Sequence, residues 1–413
     1  RLARVPLPAG MVHNMKKAIV MGSVVLDITP VLSAQTAKPI DQIFSQGKLT
    51  DLSSVAFYLG GCVGNTGVAL HALGVPTRLY CKVGDDLAGS VVETLLRRRE
   101  IPYEIRVDPA FPTSVGIALT PPGLDKVSLF LKGAAQHALA GDLDNLDLSQ
   151  TDLLHFGYPT TMRTMSERGG DELLRFLRRA KEAGVTCSMD ASLPALDSEA
   201  GRVDWRPILE RALPYVDLFV PSYEESVFML HRDRYIEKCR ALGGRNFIES
   251  ASDGDVRELA DEYLSMGAKI VIIKTGAKGL YLRSARSERI RDMGRAAPQP
   301  EGWGSRELWH LPVFVERIVS ATGAGDVAIA GFLAAFLAGK GPEEALRAAS
   351  VAASLCLLSA DTSGKLLPLE TMLKNADADR LRLEEVSLPG AYWSEKTADG
   401  LFYGKLDGRS SAS

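Results

Sequence analysis

Short apolar runs alternate with amphipathic stretches along most of the chain. Apolar runs that predict buried strands cover residues 17–23, 77–84, 152–157, 184–190, 216–222 and 268–276. Amphipathic stretches that predict helices include residues 64–74, 171–183 and 255–266. Alternation of buried strands with helices is typical of βαβ units whose parallel sheet is covered on both faces. The pattern therefore predicts an α/β protein.

Two segments break this pattern. Residues 38–58 and 113–132 alternate in the β manner, and the second folds back at "PPGLD", residues 121–125, as a hairpin. We expect both to form a small sheet that stands off the main one as a lid. Residues 283–305 carry five arginines with Gly and Pro. We interpret this stretch as an exposed insertion, with phosphate binding by its arginines as the alternative.

The pattern also predicts where the compact unit begins and ends. The first 16 residues are basic and lack the apolar core of a secretion signal, which predicts a loose extension. Beyond Gly364 the sequence becomes polar and irregular. We therefore expect one compact domain over residues 17–367, between an N-terminal extension, residues 1–16, and a C-terminal extension, residues 368–413.

Composition and charge exclude several classes of protein. The chain has 413 residues, of which 46% are hydrophobic, so it can bury a large core. Lys plus Arg is 48 against 51 for Asp plus Glu, with no long basic run, which argues against nucleic acid as the main ligand. The longest apolar run, residues 327–338, is shorter than the roughly 18 residues of a membrane span. We expect no membrane partner.

The cysteines and histidines indicate the compartment. Five cysteines are scattered without a CxxC pair, and the six histidines show no metal-binding spacing. This usage favours a reduced, cytoplasmic setting.

The stretch "SATGAGDVAIAGF", residues 320–332, places one acid between a glycine turn and an apolar helix. Asp326 could simply cap the helix, because the free amides and the dipole of a helix start favour negative charge. Gly323 and Gly325 suggest more, since they allow backbone amides to converge on an anion such as a phosphate. A carboxylate beside a phosphate site fits transfer of a phosphoryl group to a hydroxyl, in which an aspartate takes the proton.

Five short motifs in this order resemble the ribokinase-like, or PfkB, carbohydrate kinases. They are "GSVVLD", "GGCVGN", "GDDLAG", "KTGAKG" and "TGAGD". The resemblance runs from about Lys17 to Leu367. It implies a three-layer α/β/α sandwich with a mostly parallel central sheet and a small β lid. It also implies ATP and Mg²⁺ as cofactors and a small sugar as substrate.

On the substrate side, the resemblance implies that Asp27 accepts hydrogen bonds from sugar hydroxyls. A capping aspartate in a turn is the alternative. Gly60 and Gly61 would allow the backbone to approach the ligand, and Asn65 would bind the sugar, although a plain helix start would also explain Asn65.

On the nucleotide side, the resemblance implies that "KTGAKG" lies beneath the ATP phosphates and adenosine. The nucleotide-binding residues would be Lys274, Thr275, Gly276, Gly279 and Thr322. Lys274 would contact phosphate directly, or it would be an ordinary solvated lysine at a strand end. Glu225 would position Mg²⁺ through water, although Ser222 replaces the Asn that the family usually has three residues earlier.

A second departure lies in the glycine motif. The family commonly has an acid where this chain has Ser320, and that acid helps to form a monovalent cation site. We therefore expect little activation by K⁺. An aromatic residue common in the family is also replaced, by Ala328.

The implied reaction is in-line transfer of the ATP γ-phosphoryl group to a sugar hydroxyl. Asp326 would be the general base, and the amides of Gly323, Ala324 and Gly325 would stabilise the transferring group. A homodimer formed through the lid is a further expectation.

Three alternatives remain open at this point. A nucleoside kinase would need a stacking surface, for which Phe57, Tyr58 and Phe130 are candidates. A phosphorylated sugar would need a basic residue in the pocket, such as Lys132 or Arg163. A binding protein without turnover would keep the fold, with Ser222 and Ser320 as its support.

Overall fold

A computed structural model describes residues 2–4, 15–33, 40–44, 46–119, 127–378, 381–386, 388 and 392–408. Its strands are β1 (Leu2–Arg4), β2 (Ala18–Gly22), β3 (Val25–Leu32), β4 (Leu52–Gly60), β5 (Thr77–Gly84), β6 (Tyr103–Asp108), β7 (Val115–Leu119), β8 (Val127–Leu131), β9 (Leu153–Gly157), β10 (Thr186–Asp190), β11 (Leu218–Phe219), β12 (Ile270–Lys274), β13 (Leu280–Ser284), β14 (Glu307–His310) and β15 (Leu401–Tyr403). Eleven of them form one sheet in the order β1-β6-β5-β2-β9-β10-β11-β12-β13-β14-β15. The strands from β6 to β12 in this order are parallel to their neighbours, and the edge strands are antiparallel.

Helices cover both faces of this sheet. They are α1 (Ile40–Ile43), α2 (Val68–Ala72), α3 (Leu87–Arg98), α4 (Arg163–Ser166), α5 (Asp171–Glu182), α6 (Trp205–Ala212), α7 (Tyr223–Leu230), α8 (Arg232–Leu242), α9 (Asp253–Met266), α10 (Ser287–Arg291), α11 (Pro300–Trp303), α12 (Ala324–Leu337), α13 (Pro342–Leu357) and α14 (Leu369–Ala378). The predicted strands along residues 17–23, 77–84, 152–157, 184–190, 216–222 and 268–276 and the predicted helices near α5 and α9 are confirmed.

Successive side chains of each central strand enter opposite hydrophobic cores. In β2, Val20 packs with α2, α12 and α13, whereas Ile19 packs with α5, α6 and α9. Both faces of a parallel sheet are thus buried, which explains why its strands read as continuous apolar runs. The predicted three-layer α/β/α sandwich is confirmed.

The predicted lid is a four-stranded sheet in the order β4-β3-β7-β8. It differs from the prediction in two respects. Residues 40–43 are helical, so the first predicted segment becomes a strand only at Leu52. The lid also contains β3, which the pattern did not separate from β2 because both are apolar. The predicted turn at residues 121–125 lies outside the described residues, but β7 and β8 on either side pair antiparallel.

Parts of both predicted extensions join the central sheet. The Leu2–Arg4 strand pairs with β6, and β15 pairs with β14. Leu369, Met372 and Leu401 are buried in the core. The interpretation of the chain beyond Gly364 as irregular and outside the compact unit is therefore wrong. The hydrophobic pattern beyond Gly364 indicated these elements only weakly, because α14 and β15 are short.

The arginine-rich stretch, residues 283–305, is not an exposed insertion. It contains α10 and α11, and Ile290 and Trp303 are buried. The Arg289 guanidinium donates to the carbonyls of Leu264, Gly267 and Ala268, where α9 ends. Arg289 thus stabilises the end of α9, because a guanidinium can satisfy several carbonyls at once.

Among the helices of the described chain, none combines the length and the apolar character that a membrane span requires.

Candidate active site

A cavity of about 610 Å³ lies between the lid and the carboxyl edge of the central sheet. At that edge Gly22, Gly157 and Asp190 lie side by side in register at the ends of β2, β9 and β10. The cavity is lined by Ser23, Val25, Asp27, Gly61, Asn65, Ser114, Gly116, Phe130, Lys132, Gln136, Tyr158, Thr161, Thr322, Gly323 and Asp326, together with small and apolar residues of the lid and of residues 192–200. This is the position at which open α/β sheets bind ligands.

The glycine motif begins α12 at the floor of this cavity. Gly323 is the N-cap residue, with φ of 80°. That left-handed conformation favours glycine, because a side chain would be strained there. Within the described residues the amides of Gly323 and Gly325 have no hydrogen-bond partner, whereas Ala324 N donates to Ala321 O at 3.3 Å. Free amides at the positive end of a 14-residue helix form a site suited to an anion.

The Asp326 carboxylate is buried and accepts hydrogen bonds from three side chains. Asn65 Nδ2 donates to Oδ2 at 3.0 Å, and Thr66 Oγ1 donates to Oδ1 at 3.2 Å. The Tyr158 hydroxyl also donates to Oδ1. A carboxylate accepts about four hydrogen bonds. These three donors therefore fix its orientation and leave one acceptor position, on Oδ2, for a hydroxyl in the cavity.

Burial raises the pKa of Asp326, while Lys274 and the three hydrogen-bond donors lower it. A buried carboxylate with a raised pKa and free space before it is well suited to accept a proton. Asn65 was predicted as a sugar ligand, and the structure brings it to Asp326 as well as to the cavity. Tyr158 and Thr66 were missed. Tyr158 follows β9 directly, and that position at a strand end was the one signal for it.

Lys274 lies within a buried cluster of carboxylates. Its Nζ is 2.7 Å from Asp190 Oδ1, and the charges of Asp190, Glu225 and Asp326 raise its pKa against the effect of burial. Burial raises the pKa of Asp190 to about 8, although Lys274 opposes this. The lysine is therefore a mostly buried cation paired with Asp190, and the alternative of an ordinary solvated lysine is wrong.

Glu225 and Ser222 form a capping box at the start of α7. Ser222 N donates to Glu225 Oε2 at 2.6 Å, and Glu225 N donates to Ser222 Oγ at 3.2 Å. Serine is as good an N-cap as the asparagine it replaces. The replacement thus keeps Glu225 in place, next to Lys274, which pairs with Ser222 across neighbouring strands.

Asp27 lies within lid strand β3, and not directly after the first central strand as predicted. Gly116 on β7 is its register partner, and Gly60 is on β4. A Cβ atom would lie 2.0 Å from the Asp27 carboxylate if added at Gly60 and 2.4 Å if added at Gly116. Both glycines make room for this carboxylate at the cavity wall. Gly60 is thus close to Asp27, while Gly61 lines the cavity and contacts Ser23.

The "KTGAKG" turn connects β12 and β13. Thr275 Oγ1 donates to Gly279 O at 2.7 Å, and a Cβ atom at Gly279 would lie 2.1 Å from His310 O. These two residues hold the turn itself. Gly276 lies at the tip of the turn, and Thr322 and Ser320 are in the loop that precedes α12, where Thr322 N donates to Ser320 Oγ at 3.2 Å.

The chain is similar in sequence to known proteins. A family model for pfkB family carbohydrate kinases matches residues 15–368. An uncharacterized sugar kinase of Archaeoglobus fulgidus is 23% identical over 290 residues, covering 70% of this chain and 94% of that protein. The 2-dehydro-3-deoxygluconokinase of Thermoproteus tenax is 26% identical over 319 residues, covering 75% and 82%.

Solved structures show the same fold. Ribokinase of Arabidopsis thaliana, complexed with ribose and ATP, superposes with a TM-score of 0.60 at 19% identity, covering 87% of this chain and 98% of that one. A nucleoside kinase of Methanocaldococcus jannaschii gives 0.56 at 18% identity, covering 88% and 99%. Because the family model matches most of its length, the chain belongs to the pfkB family of carbohydrate kinases.

Proposed function

We propose that this protein transfers the γ-phosphoryl group of ATP to a hydroxyl of a sugar or sugar-like small molecule. The observation that carries the proposal is the buried Asp326 carboxylate, which faces a cavity from the start of α12. The start of α12 thus combines a proton acceptor, the Asp326 carboxylate, with free backbone amides. Chemistry on a hydroxyl beside a phosphate needs that combination.

In this mechanism the sugar hydroxyl donates to Asp326 Oδ2, the carboxylate oxygen that keeps an acceptor position. Asn65, Thr66 and Tyr158 hold the carboxylate toward the hydroxyl, and its raised pKa favours proton uptake as the hydroxyl attacks. The free amides of Gly323 and Gly325 stabilise the charge on the transferring group, whereas the predicted third donor, the Ala324 amide, donates to Ala321 O at 3.3 Å. Asp27 accepts hydrogen bonds from other hydroxyls of the sugar from the lid side.

The charges of the site fit Mg²⁺ and ATP. Three carboxylates, Asp190, Glu225 and Asp326, surround one cation, Lys274, and burial raises the pKa of each acid. Such a cluster favours an added cation. Mg²⁺ bound with ATP would neutralise the phosphate oxygens. Among the described residues, no three His, Cys, Asp or Glu side chains are placed so that they could hold one metal ion directly. We therefore propose that Glu225 holds Mg²⁺ through water.

For ATP itself, the turn formed by Thr275, Gly276 and Gly279 presents backbone to the nucleotide, since the Thr275 hydroxyl is already bonded within the turn. Thr322 borders the cavity beside the free amides. We propose that Lys274 acts through charge from beneath Gly325, whose added Cβ would be 3.5 Å from Lys274 Cδ.

A nucleoside acceptor is the second candidate. Of the three aromatic residues expected to stack on a base, Phe130 lines the cavity and is 55% exposed. The nucleoside kinase among the structural neighbours has the same fold. A sugar is favoured because hydrogen-bonding groups, Asp27 and Asn65, line the wall next to Asp326.

The lid also supports the expected homodimer. Val31, Leu52, Val55, Phe57 and Leu131 are each 44% to 51% exposed on its strands. Apolar side chains concentrated on one small sheet favour contact with a second copy of the chain. We propose such a contact.

Asp326→Asn tests the proposed reaction. The variant should lower kcat by about 10² to 10⁴ while KM for ATP and for the acceptor changes little, since general-base catalysis is lost and shape is kept. ADP production should be measured with sugars and nucleosides. The matched control is Asp233→Asn, an exposed acid on α8, which should leave kcat unchanged.

A kcat for Asp326→Asn within a few-fold of the parent value would refute the role of Asp326. If ATP binds but neither sugars nor nucleosides increase its turnover, the protein is a binding protein and the proposed reaction is wrong.

A further inference from the structure

A second cavity of about 240 Å³ adjoins the proposed substrate cavity. Lys132, Gln136, Thr161 and Ala200 line both cavities and so form the junction between them. Among the described lining residues, Asp27, Asn65 and Asp326 belong only to the first cavity. The junction therefore lies on a different part of the cavity wall from Asp326, the residue that faces the reacting hydroxyl.

The junction has the opposite charge to the reacting end. Asp27 and Asp326 are the acids of the first cavity, whereas Lys132 contributes the one cation among its described lining residues. Gln136 adds a side-chain amide beside Lys132. The Thr161 hydroxyl donates to the Tyr158 carbonyl at 3.0 Å. A ligand that spans the cavity thus meets hydrogen-bond acceptors at one end and an ammonium group at the other.

Lys132 is held at this junction by its neighbours in sequence. It follows β8 directly and precedes Gly133, where an added Cβ atom would lie 2.2 Å from Pro112 O. Ala134 N donates to the same carbonyl at 2.8 Å. This close contact anchors the end of the lid strand to the body of the protein, so the lysine stem starts from a fixed point.

Lys132 also differs from the other basic side chains of the second cavity in its ion pairing. In the second cavity Arg163 is already paired with Glu167, at 2.7 Å, and lies 3.7 Å from Glu199. Burial lowers the pKa of His137, which favours its neutral form at pH 7. Within the described residues Lys132 forms no ion pair. Its charge is free to meet a ligand.

We propose that the substrate carries an anionic group, a carboxylate or a phosphate, at the end away from the phosphorylated hydroxyl, and that Lys132 binds this group with help from Gln136. The proposal rests on the proposed kinase function and narrows its substrate class to anionic sugars. A point charge on a flexible stem suits either anion.

Matched ligand pairs test this proposal. D-Gluconate is compared with D-glucitol for the carboxylate, and fructose 6-phosphate with fructose for the phosphate. For each ligand, kcat/KM and the ligand-induced rise in melting temperature are measured with the parent, Lys132→Gln, Lys132→Arg and the control Lys374→Gln. Lys374 is an exposed lysine on α14, far along the chain from both cavities.

We expect the anionic member of at least one pair to bind more tightly than its neutral partner. Lys132→Gln should weaken binding of that anion by about tenfold to a hundredfold, the usual value of a hydrogen bond to a charged group. Neutral sugars should be unaffected, Lys132→Arg should retain most of the preference, and Lys374→Gln should behave as the parent. The pair that responds identifies the anion.

The proposal is overturned if no anion binds more tightly than its neutral partner, or if Lys132→Gln weakens neutral and anionic ligands equally. Failure of the kinase function gives a different result. In that case anions would bind through Lys132 without being phosphorylated in the presence of ATP.

Discussion

Tyr158→Phe removes one of the three donors to the Asp326 carboxylate and leaves the ring in place. The Tyr158 hydroxyl donates to Oδ1, the oxygen that also accepts from Thr66. Burial and the charge of Asp326 raise the pKa of Tyr158, so this hydroxyl stays protonated and remains a donor over the whole working range of pH. The substitution therefore acts on the charged form of Asp326.

The size of the effect follows from the hydrogen bond that is lost. A hydrogen bond to a charged group contributes about 1.5 to 3 kcal/mol, and one pKa unit corresponds to about 1.4 kcal/mol. Because the bond stabilises the carboxylate and not the protonated acid, its loss should raise the pKa of Asp326 by about 1 to 2 units. Catalysis needs the carboxylate. The acidic limb of the pH profile should therefore move to higher pH by the same amount.

The assay is kcat/KM for the acceptor between pH 5 and 10 at saturating ATP and Mg²⁺. Tyr80→Phe is the matched control, because the Tyr80 hydroxyl is buried and has no hydrogen-bond partner among the described residues. It should leave the acidic limb unchanged. An acidic limb that stays in place in Tyr158→Phe, even with lower activity, would show that Tyr158 does not set the basicity of Asp326.

Two further predictions concern stability and assembly. Asp217→Ala should lower the free energy of unfolding, measured by urea denaturation, by about 3 to 5 kcal/mol. The ammonium groups of Lys181 and Lys269 lie 2.7 and 2.6 Å from the Asp217 carboxylate, and the substitution removes their counter-charge. Glu301→Ala, which breaks an exposed ion pair with Arg291, should lower the free energy of unfolding far less, and equal losses would refute the distinction. Phe57→Glu, on the exposed lid face, should convert a dimer to the 44.6 kDa monomer in sedimentation equilibrium; a parent protein that sediments as a monomer would refute the dimer.

The central sheet could be predicted because its strands are buried on both faces. The pattern predicts one strand over residues 77–84, and β5 has these bounds. The lid was harder, since β3 follows β2 after two residues and is also apolar at its start. Nothing in the local sequence separates a strand that leaves the sheet from one that continues it. The contacts that decide between them, with β4 and β7, come from residues far along the chain.

The glycine motif and Asp326 could be predicted because local geometry determines them. A glycine turn, free amides and an acid in the first helical turn are all properties of neighbouring residues. Tyr158 and Thr66 could not be predicted in this way, because their role depends on the distance to Asp326 across the fold. Tyrosine after a strand has many possible partners, and sequence alone does not choose among them.

The charged surroundings of Lys274 could not be predicted from its local sequence either. At a strand end the expected state of a lysine is solvated, since burial of an isolated ammonium is costly. The cost falls only because Asp190 ends the parallel strand β10 and Glu225 lies beside the partner of Lys274, Ser222. Lys274 in turn lowers the pKa of each acid against the effect of burial, so the members of the cluster stabilise one another's charged forms. The site therefore depends on charges that balance one another across three strands, and removing Lys274 should raise the pKa of Asp326 as well as that of Asp190.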